Sequence, residues 1–146
     1  MYYFIVNPKS SSNRGARRWR LIEAQLRKEA VQYQVFFTKH VGHASELADT
    51  LCRKYPNPTL VAVGGDGTAN EVINGIPSLS GVTFGYIPTG SSNDLARAMG
   101  IPSDPLKALD RVLHPNNSIP MNVGYVSNGI ECRSFSVSTG IGYDAA

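Results

Sequence analysis

Four short apolar runs, Tyr2 to Val6, Tyr33 to Phe37, Thr59 to Val63 and Thr83 to Ile87, recur along the chain, each followed by polar or glycine-rich sequence. An apolar run of this length with a turn signal at its end reads as a buried strand. Between the runs the period changes. Ala16, Trp19, Ile22, Leu26 and Ala30 recur at spacings of three or four, and so do Ala44, Leu47, Ala48, Leu51, Cys52 and Tyr55, until Pro56 and Pro58 stop the pattern. Each set marks one face of a helix. Shorter helices are expected over Thr68 to Gly75 and Asn93 to Met99, and a further one opens at Asp104-Pro105, with Asp as N-cap and Pro at the first helical position. Strands alternating with amphipathic helices require right-handed crossovers. The expected fold is therefore α/β: a three-layer α/β/α, doubly wound, mostly parallel sheet covered on both faces.

Composition agrees with a packed core. The 146 residues are 42% hydrophobic and 17% charged with a net charge of +3, which excludes a disordered chain or an acidic tail. Fourteen Gly and nine Pro follow no period, which excludes a collagen-like repeat. No uncharged apolar run approaches the ~20 residues that span a bilayer, and Met1 to Val6 lacks a basic leader, so a cytoplasmic chain is expected. Cys52 and Cys132 are far apart and have no partner at metal-ligand spacing, which suits reduced, buried thiols.

After Pro115 the pattern changes again. Ile119 to Val126 and Glu131 to Ser138 flank Ser127-Asn128-Gly129, where Asn-Gly favours a tight hairpin turn. The expected organisation is an α/β domain over residues 1–118 and the opening hairpin of a truncated β-rich domain over 119–146. A hairpin cut off in this way leaves unpaired strand edges, through which the chain is expected to self-associate as a homodimer.

In an open α/β sheet ligands collect at the carboxyl ends of the strands, which directs attention to the loops after Val6, Phe37, Val63 and Ile87. Gly64-Gly65-Asp66-Gly67-Thr68 lies directly ahead of a helix, so its backbone N–H groups and the helix dipole would face an anion, phosphate above all. A carboxylate there needs a reason, because two like charges about 4 Å apart repel by roughly 1 kcal/mol in water and ~4 near a protein surface. Asp66 either shares a divalent cation such as Mg²⁺ with the phosphates or caps the following helix. Asn93 and Asp94 pose the same choice between capping a helix and meeting a substrate. The dinucleotide fingerprint and the P-loop pattern are both absent.

Three elements together resemble the diacylglycerol kinase catalytic domain family of bacterial lipid kinases and sphingosine kinases. They are Asn7-Pro8-x-Ser10, then Gly64-Gly65-Asp66-Gly67-Thr68-x-Asn70-Glu71-Val72-x-Asn74-Gly75, then Pro88-x-Gly90-Ser91-Ser92-Asn93-Asp94-x-Ala96-Arg97. The second element alone is also similar to sequences in NAD kinases and phosphofructokinases, and the third separates the chain from them. The resemblance implies an NAD kinase/phosphofructokinase-like first domain and a β-rich second domain that supplies much of the lipid site. It implies ATP and Mg²⁺ as cofactors, a lipid acceptor such as diacylglycerol at a membrane surface, and an ATP site lined by Asn7, Ser10, Thr38, Gly65, Asp66, Gly67, Thr68, Ala69, Asn70, Glu71 and Ser91. Asp66 is the expected catalytic residue, and this stretch alone is expected to be inactive. A kinase of a soluble acceptor related to NAD kinases, or a nucleotide-binding module without activity, are the alternatives. The sequence departs from the family where Ser11 stands for a common Gly, Ser91 for the usual Thr, and Asn122 for an Asp often found there.

Lys9, Arg14, Arg17, Arg18 and Arg20 precede the first acidic residue, Glu23. Cations at a helix start oppose its dipole, so ATP phosphates or anionic lipid headgroups are the natural counter-charge of the cluster, whereas Arg17 and Arg20 taken singly read as a solvated face. No aromatic stacking platform or reader motif supports nucleic acid. His40 and His43 bracket Gly42 without a carboxylate beside them in sequence, so His43 is expected to pack or cap at the helix start.

Overall fold

The computed structural model describes residues 1–78, 81–91 and 93–114, together with the strand backbones of 124–127 and 132–135. In chain order these form β1 (Tyr2–Val6), α1 (Ser10–Lys28), β2 (Tyr33–Phe37), α2 (His43–Lys54), β3 (Thr59–Gly64), α3 (Asp66–Gly75), β4 (Thr83–Pro88), α4 (Asp94–Ala98), α5 (Pro105–Leu113), β5 (Gly124–Ser127) and β6 (Cys132–Phe135). The first four strands make a wholly parallel sheet in the order β2-β1-β3-β4, and β5 pairs antiparallel with β6.

Successive strand residues point to opposite faces, and both faces are covered. Tyr3, Ile5, Leu60, Ala62 and Tyr86 meet Ala44, Ala48 and Leu51 of α2, Ala69, Val72 and Ile73 of α3, and Leu95 and Ala96 of α4. Phe4, Val6, Val61, Val63 and Ile87 meet Trp19, Ile22 and Leu26 of α1 and Ala108 and Leu109 of α5. This two-sided burial is why the strands read as continuous apolar runs rather than alternating ones. Among the described residues no helix is long and apolar enough to cross a membrane.

The register brings the strand ends to one level. Val6 lies opposite both Phe37 and Val63, Val63 opposite Ile87, and Gly64 opposite Pro88. The loops that follow these strands therefore share one rim. From β1 the chain turns outward to β2, whereas from β3 it proceeds the other way to β4. The carboxyl ends of β1 and β3 thus flank the topological switch point, where open α/β sheets take their ligands.

Several local details differ from the sequence expectations. Helix α3 begins at Asp66, two residues before Thr68, because Gly65 takes the extended N-cap conformation (φ −87°, ψ −175°). Asp66 is therefore the first helical residue of α3 and not its N-cap. Ala30 leaves the face of α1 and lies beyond the helix end in a left-handed turn (φ 55°). Ser11, Ser12 and Asn13 are also left-handed, so the stretch from Ser10 turns sharply before the regular helix begins. Asn93 is left-handed and its side chain caps nothing, since its amide donates to the carbonyl of Gly90 (3.0 Å). Asp104 caps α5 as expected, accepting from the N–H of Leu106 (2.9 Å). The boundary expected at 118/119, Asn122 and the Asn128-Gly129 turn lie outside the described residues.

Candidate functional site

The loops after β1 and β3 are joined across the switch point. Asn7 donates its backbone N–H to the Val63 carbonyl (2.8 Å) and its side-chain Nδ2 to Thr68 Oγ1 (3.4 Å), while its Oδ1 accepts from the N–H of Lys9 (3.0 Å). Ser10 is buried, and its Oγ lies 2.6 Å from Oγ1 of Thr89, which is fully buried. Thr89 in turn donates its N–H to the Gly64 carbonyl (2.8 Å). The loop after β4 is thereby held against the two central loops.

Glycine lets these loops approach backbone to backbone. A Cβ on Gly90 would lie 2.6 Å from the Cα of Gly65; a Cβ on Gly64 would instead meet the side chain of Thr68 at the following helix start, 2.6 Å from its Oγ1. Gly67 is different. It is exposed, and a Cβ there would meet nothing within 4 Å, so the fold does not itself demand glycine at that position. Helix α3 opens beside it without a side-chain cap. The first N–H groups of a helix have no partner within the helix, and with the dipole they form an anion site.

Asp66 faces the other way, toward α4. Its Oδ2 accepts the N–H of Asp94 (2.7 Å), and its Oδ1 accepts the N–H of Leu95 (3.2 Å) and the hydroxyl of Tyr86 (3.3 Å). The same Tyr86 hydroxyl lies 3.1 Å from the Gly64 carbonyl. Burial, and then the negative charge of Asp66, push the Tyr86 phenol well above its usual range, so it stays a neutral donor. Asp94 forms an exposed ion pair with Arg97. The Oδ1 atom of Asn93 is buried without a hydrogen-bond partner among the described residues.

The remaining expected site residues sit along the same rim. Thr38 donates its N–H to the Val6 carbonyl (2.9 Å), and Glu71 Oε1 accepts the N–H of Gly42 (2.9 Å). Asn70 uses its carbonyl to accept from Asn74 Nδ2 (2.8 Å). Ala69 is fully buried in the core, and its N–H donates to the Gly65 carbonyl (3.2 Å). Ser91 is exposed at the end of the rim. All eleven positions expected from the family resemblance therefore lie on the loops at one end of the sheet and on the first two turns of α3.

Glu46 joins the two histidines that lacked a carboxylate neighbour in sequence. The ligand atoms of His40, His43 and Glu46 lie within 4.8 Å of one another. His43 Nδ1, however, accepts the N–H of Lys39 (2.9 Å), which puts the proton of its neutral form on Nε2 and leaves that nitrogen without a lone pair for a metal. Two exposed donors remain, short of the four that a closed zinc site uses.

Tyr86 and Thr89 contribute to this site and were not distinguished by the sequence. Tyr86 reads as one more apolar strand residue, and Thr89 occupies the variable position of its motif. Only the fold brings the first to Asp66 and the second to Ser10.

The family described as the diacylglycerol kinase catalytic domain matches residues 1–126. The chain is 49% identical over 126 residues to a diacylglycerol kinase of Bacillus subtilis (strain 168), covering 84% of this chain and 41% of that protein. It is 33% identical over 125 residues to a diacylglycerol kinase of Staphylococcus aureus (strain MRSA252), covering 85% and 39%. Among solved structures, it superposes on a diacylglycerol kinase from Bacillus anthracis str. Sterne with a TM-score of 0.75 at 27% identity, covering 92% of this chain and 45% of that one. The chain spans less than half the length of these relatives.

Proposed function

The chain belongs to the diacylglycerol kinase catalytic domain family, and on that premise we propose that it forms the ATP-binding part of a kinase that transfers the γ-phosphoryl group to a lipid hydroxyl such as that of diacylglycerol. The observation that carries this reading is the uncapped start of α3 at the switch point, with the open space at Gly67 beside it. An anion of the size and charge of a polyphosphate suits that start, because backbone amides and the helix dipole favour it and no Cβ obstructs it.

Mg²⁺, when bound with the nucleotide, neutralises phosphate charge. Among the rim side chains Asp66 suits it best, through the one lone-pair position, on Oδ2, that its three hydrogen bonds leave unused. Phosphoryl transfer depends mostly on positioning and electrostatics. In this reading Asp66 orients the metal or the acceptor hydroxyl, the glycine loops hold the phosphates, and Asn7, Ser10 and Thr89 keep the loops in register.

The acceptor is a membrane lipid, and the chain offers a face for its bilayer. Lys9, Arg14, Arg17 and Arg20 are exposed along the start of α1, next to the rim. Basic residues near an anionic surface contribute about 1 kcal/mol each, which suits peripheral attachment to the cytoplasmic leaflet.

Calorimetric titration of the folded chain with Mg-ATP tests the first half of the reading, and saturable binding is expected. Failure of the folded chain to bind at millimolar nucleotide would overturn it. The second half is tested by offering γ-labelled ATP to the full-length protein with diacylglycerol in mixed micelles and, separately, with soluble alcohols. Label is expected in the lipid, and label only in a soluble acceptor would refute the lipid assignment.

A further inference from the structure

We propose that Glu71 is a positioning residue: its side chain anchors the β2–α2 loop for nucleotide by reaching the Gly42 amide as a hydrogen-bond acceptor. This rests on the nucleotide reading of the rim and assigns Glu71 a specific part in it.

A glutamate near a helix start ordinarily needs no explanation beyond the dipole. The dipole of its own helix does not account for Glu71, because α3 starts at Asp66 and Glu71 lies in its second turn, whereas the dipole effect fades within the first; the helix start that this carboxylate meets is that of α2. The side chain instead leaves its own helix. Its Oε1 accepts the N–H of Gly42 at 2.9 Å, 29 residues away in sequence. Gly42 is the N-cap residue of α2, left-handed at φ 86°, and α2 has no side-chain cap of its own. Glu71 thus satisfies an amide at the start of a helix whose own sequence provides no capping side chain.

The packing of the two helices sets the distance. Gly75 lies four residues after Glu71, on the same face of α3, and a Cβ there would lie 2.1 Å from the carbonyl oxygen of Ser45, three residues after Gly42. The helices are therefore in backbone contact one turn beyond the hydrogen bond, and Glu71 spans the gap that this contact leaves. At the other end of the loop Thr38 is tied to Val6. The segment from Thr38 to Gly42 is held at both ends, and Lys39, His40 and Val41 between them are exposed. A loop so fixed presents Thr38 to a bound nucleotide in one conformation, which lowers the ordering cost of binding.

An anchoring role and a charge role differ in what they tolerate. Glu71→Gln keeps the length and an acceptor oxygen but loses the charge, whereas Glu71→Asp keeps the charge and loses one methylene of reach. We expect Glu71→Gln, which keeps the bond with a weaker, neutral acceptor, to speed exchange at the Gly42 amide and weaken Mg-ATP by less than Glu71→Asp does. Glu71→Asp and Glu71→Ala should each expose the Gly42 amide and weaken Mg-ATP about tenfold. In the full-length enzyme they should raise KM for ATP more than they lower kcat. Glu71→Gln behaving like Glu71→Ala would overturn the proposal in favour of a charge role. Unchanged Gly42 exchange in Glu71→Ala would show that there is no anchor. Failure of wild type to bind Mg-ATP, whatever Gly42 does, would instead overturn the nucleotide reading and with it the purpose assigned to the loop.

Discussion

The carboxylate of Asp66 accepts the backbone N–H of Asp94 at 2.7 Å, so the first residue of α3 caps the start of α4 from 28 residues away. Helix α4 is a five-residue element, far too short to persist alone. Its orphan amides are satisfied by a different loop, and the loops after β3 and β4 become one unit. In the proposed reaction the same carboxylate also serves the metal or the acceptor hydroxyl, so a single side chain both builds the rim and takes part in its chemistry.

Asp66→Asn separates these roles only partly. The amide retains one acceptor oxygen, but its NH₂ group must face an N–H that the carboxylate accepted. We expect a loss of about 1–2 kcal/mol in unfolding free energy and faster exchange at the Asp94 and Leu95 amides. Phosphoryl transfer by the full-length enzyme should fall by roughly 10²-fold or more. Denaturant titration, amide exchange and a kinase assay read the three effects, and near-normal turnover would remove Asp66 from the mechanism.

Tyr86→Phe removes one hydroxyl from beneath Asp66 and leaves the Gly64 carbonyl with Thr89 as its remaining donor. Near pH 7 this should cost about 1–2 kcal/mol. The alkaline behaviour gives a second readout. The folded phenol is held above its usual range, so above about pH 10 the unfolded chain has lost this proton while the folded chain keeps it. Wild-type stability then falls by about 1.4 kcal/mol per pH unit from this group, until the folded phenol itself ionises. In Tyr86→Phe that part of the alkaline slope should vanish. Parallel slopes in the two proteins would contradict the assignment.

The layers of this fold were legible in sequence because burial on both sheet faces demands apolar runs in every strand and an apolar stripe on every covering helix. Asp104-Pro105 was legible for the same local reason, since cap and helix adjoin. Asp66 illustrates what was not. Its position in a glycine loop marked it as a site residue, but whether it caps a helix, and which one, depends on the approach of Gly90 to Gly65. That approach is set by strand register and not by neighbouring residues. Tyr86, Thr89 and the Glu71 contact with Gly42 were hidden for the same reason, as each joins loops distant in sequence. Ala30 was misplaced because one more apolar residue at helical spacing cannot reveal that the backbone has already turned.

The glycines at positions 67 and 90 should respond oppositely to one added methyl. At Gly90 the new Cβ meets the Cα of Gly65 at 2.6 Å, backbone that cannot yield without opening the rim. Gly90→Ala should therefore cost about 1–3 kcal/mol and weaken nucleotide binding with it. At Gly67 the methyl meets nothing within 4 Å, and the position is helical. Gly67→Ala should leave stability unchanged or raise it by up to about 1 kcal/mol, while weakening Mg-ATP by crowding the phosphates. Equal Mg-ATP affinity in Gly67→Ala and wild type would show that the open space there is not used by the nucleotide.

Ala30 offers a stabilising change at a distance from the rim. It follows the end of α1 with φ 55°. Its N–H reaches the Arg27 carbonyl (3.2 Å) and the N–H of Val31 reaches that of Leu26 (3.0 Å), the bonding of a Schellman turn. That turn favours glycine at the left-handed residue, where a Cβ meets the following carbonyl at a cost of roughly 1–2 kcal/mol. Glycine recovers most of this but adds freedom to the unfolded chain. Ala30 is exposed, so no packing is lost. Ala30→Gly should therefore raise unfolding free energy by about 1 kcal/mol and the melting temperature by about 2–4 °C. Helix α1 runs away from the strand ends, so Mg-ATP affinity should stay at the wild-type value. A lower melting temperature in Ala30→Gly would mean that this residue is not left-handed in solution and that α1 continues through it.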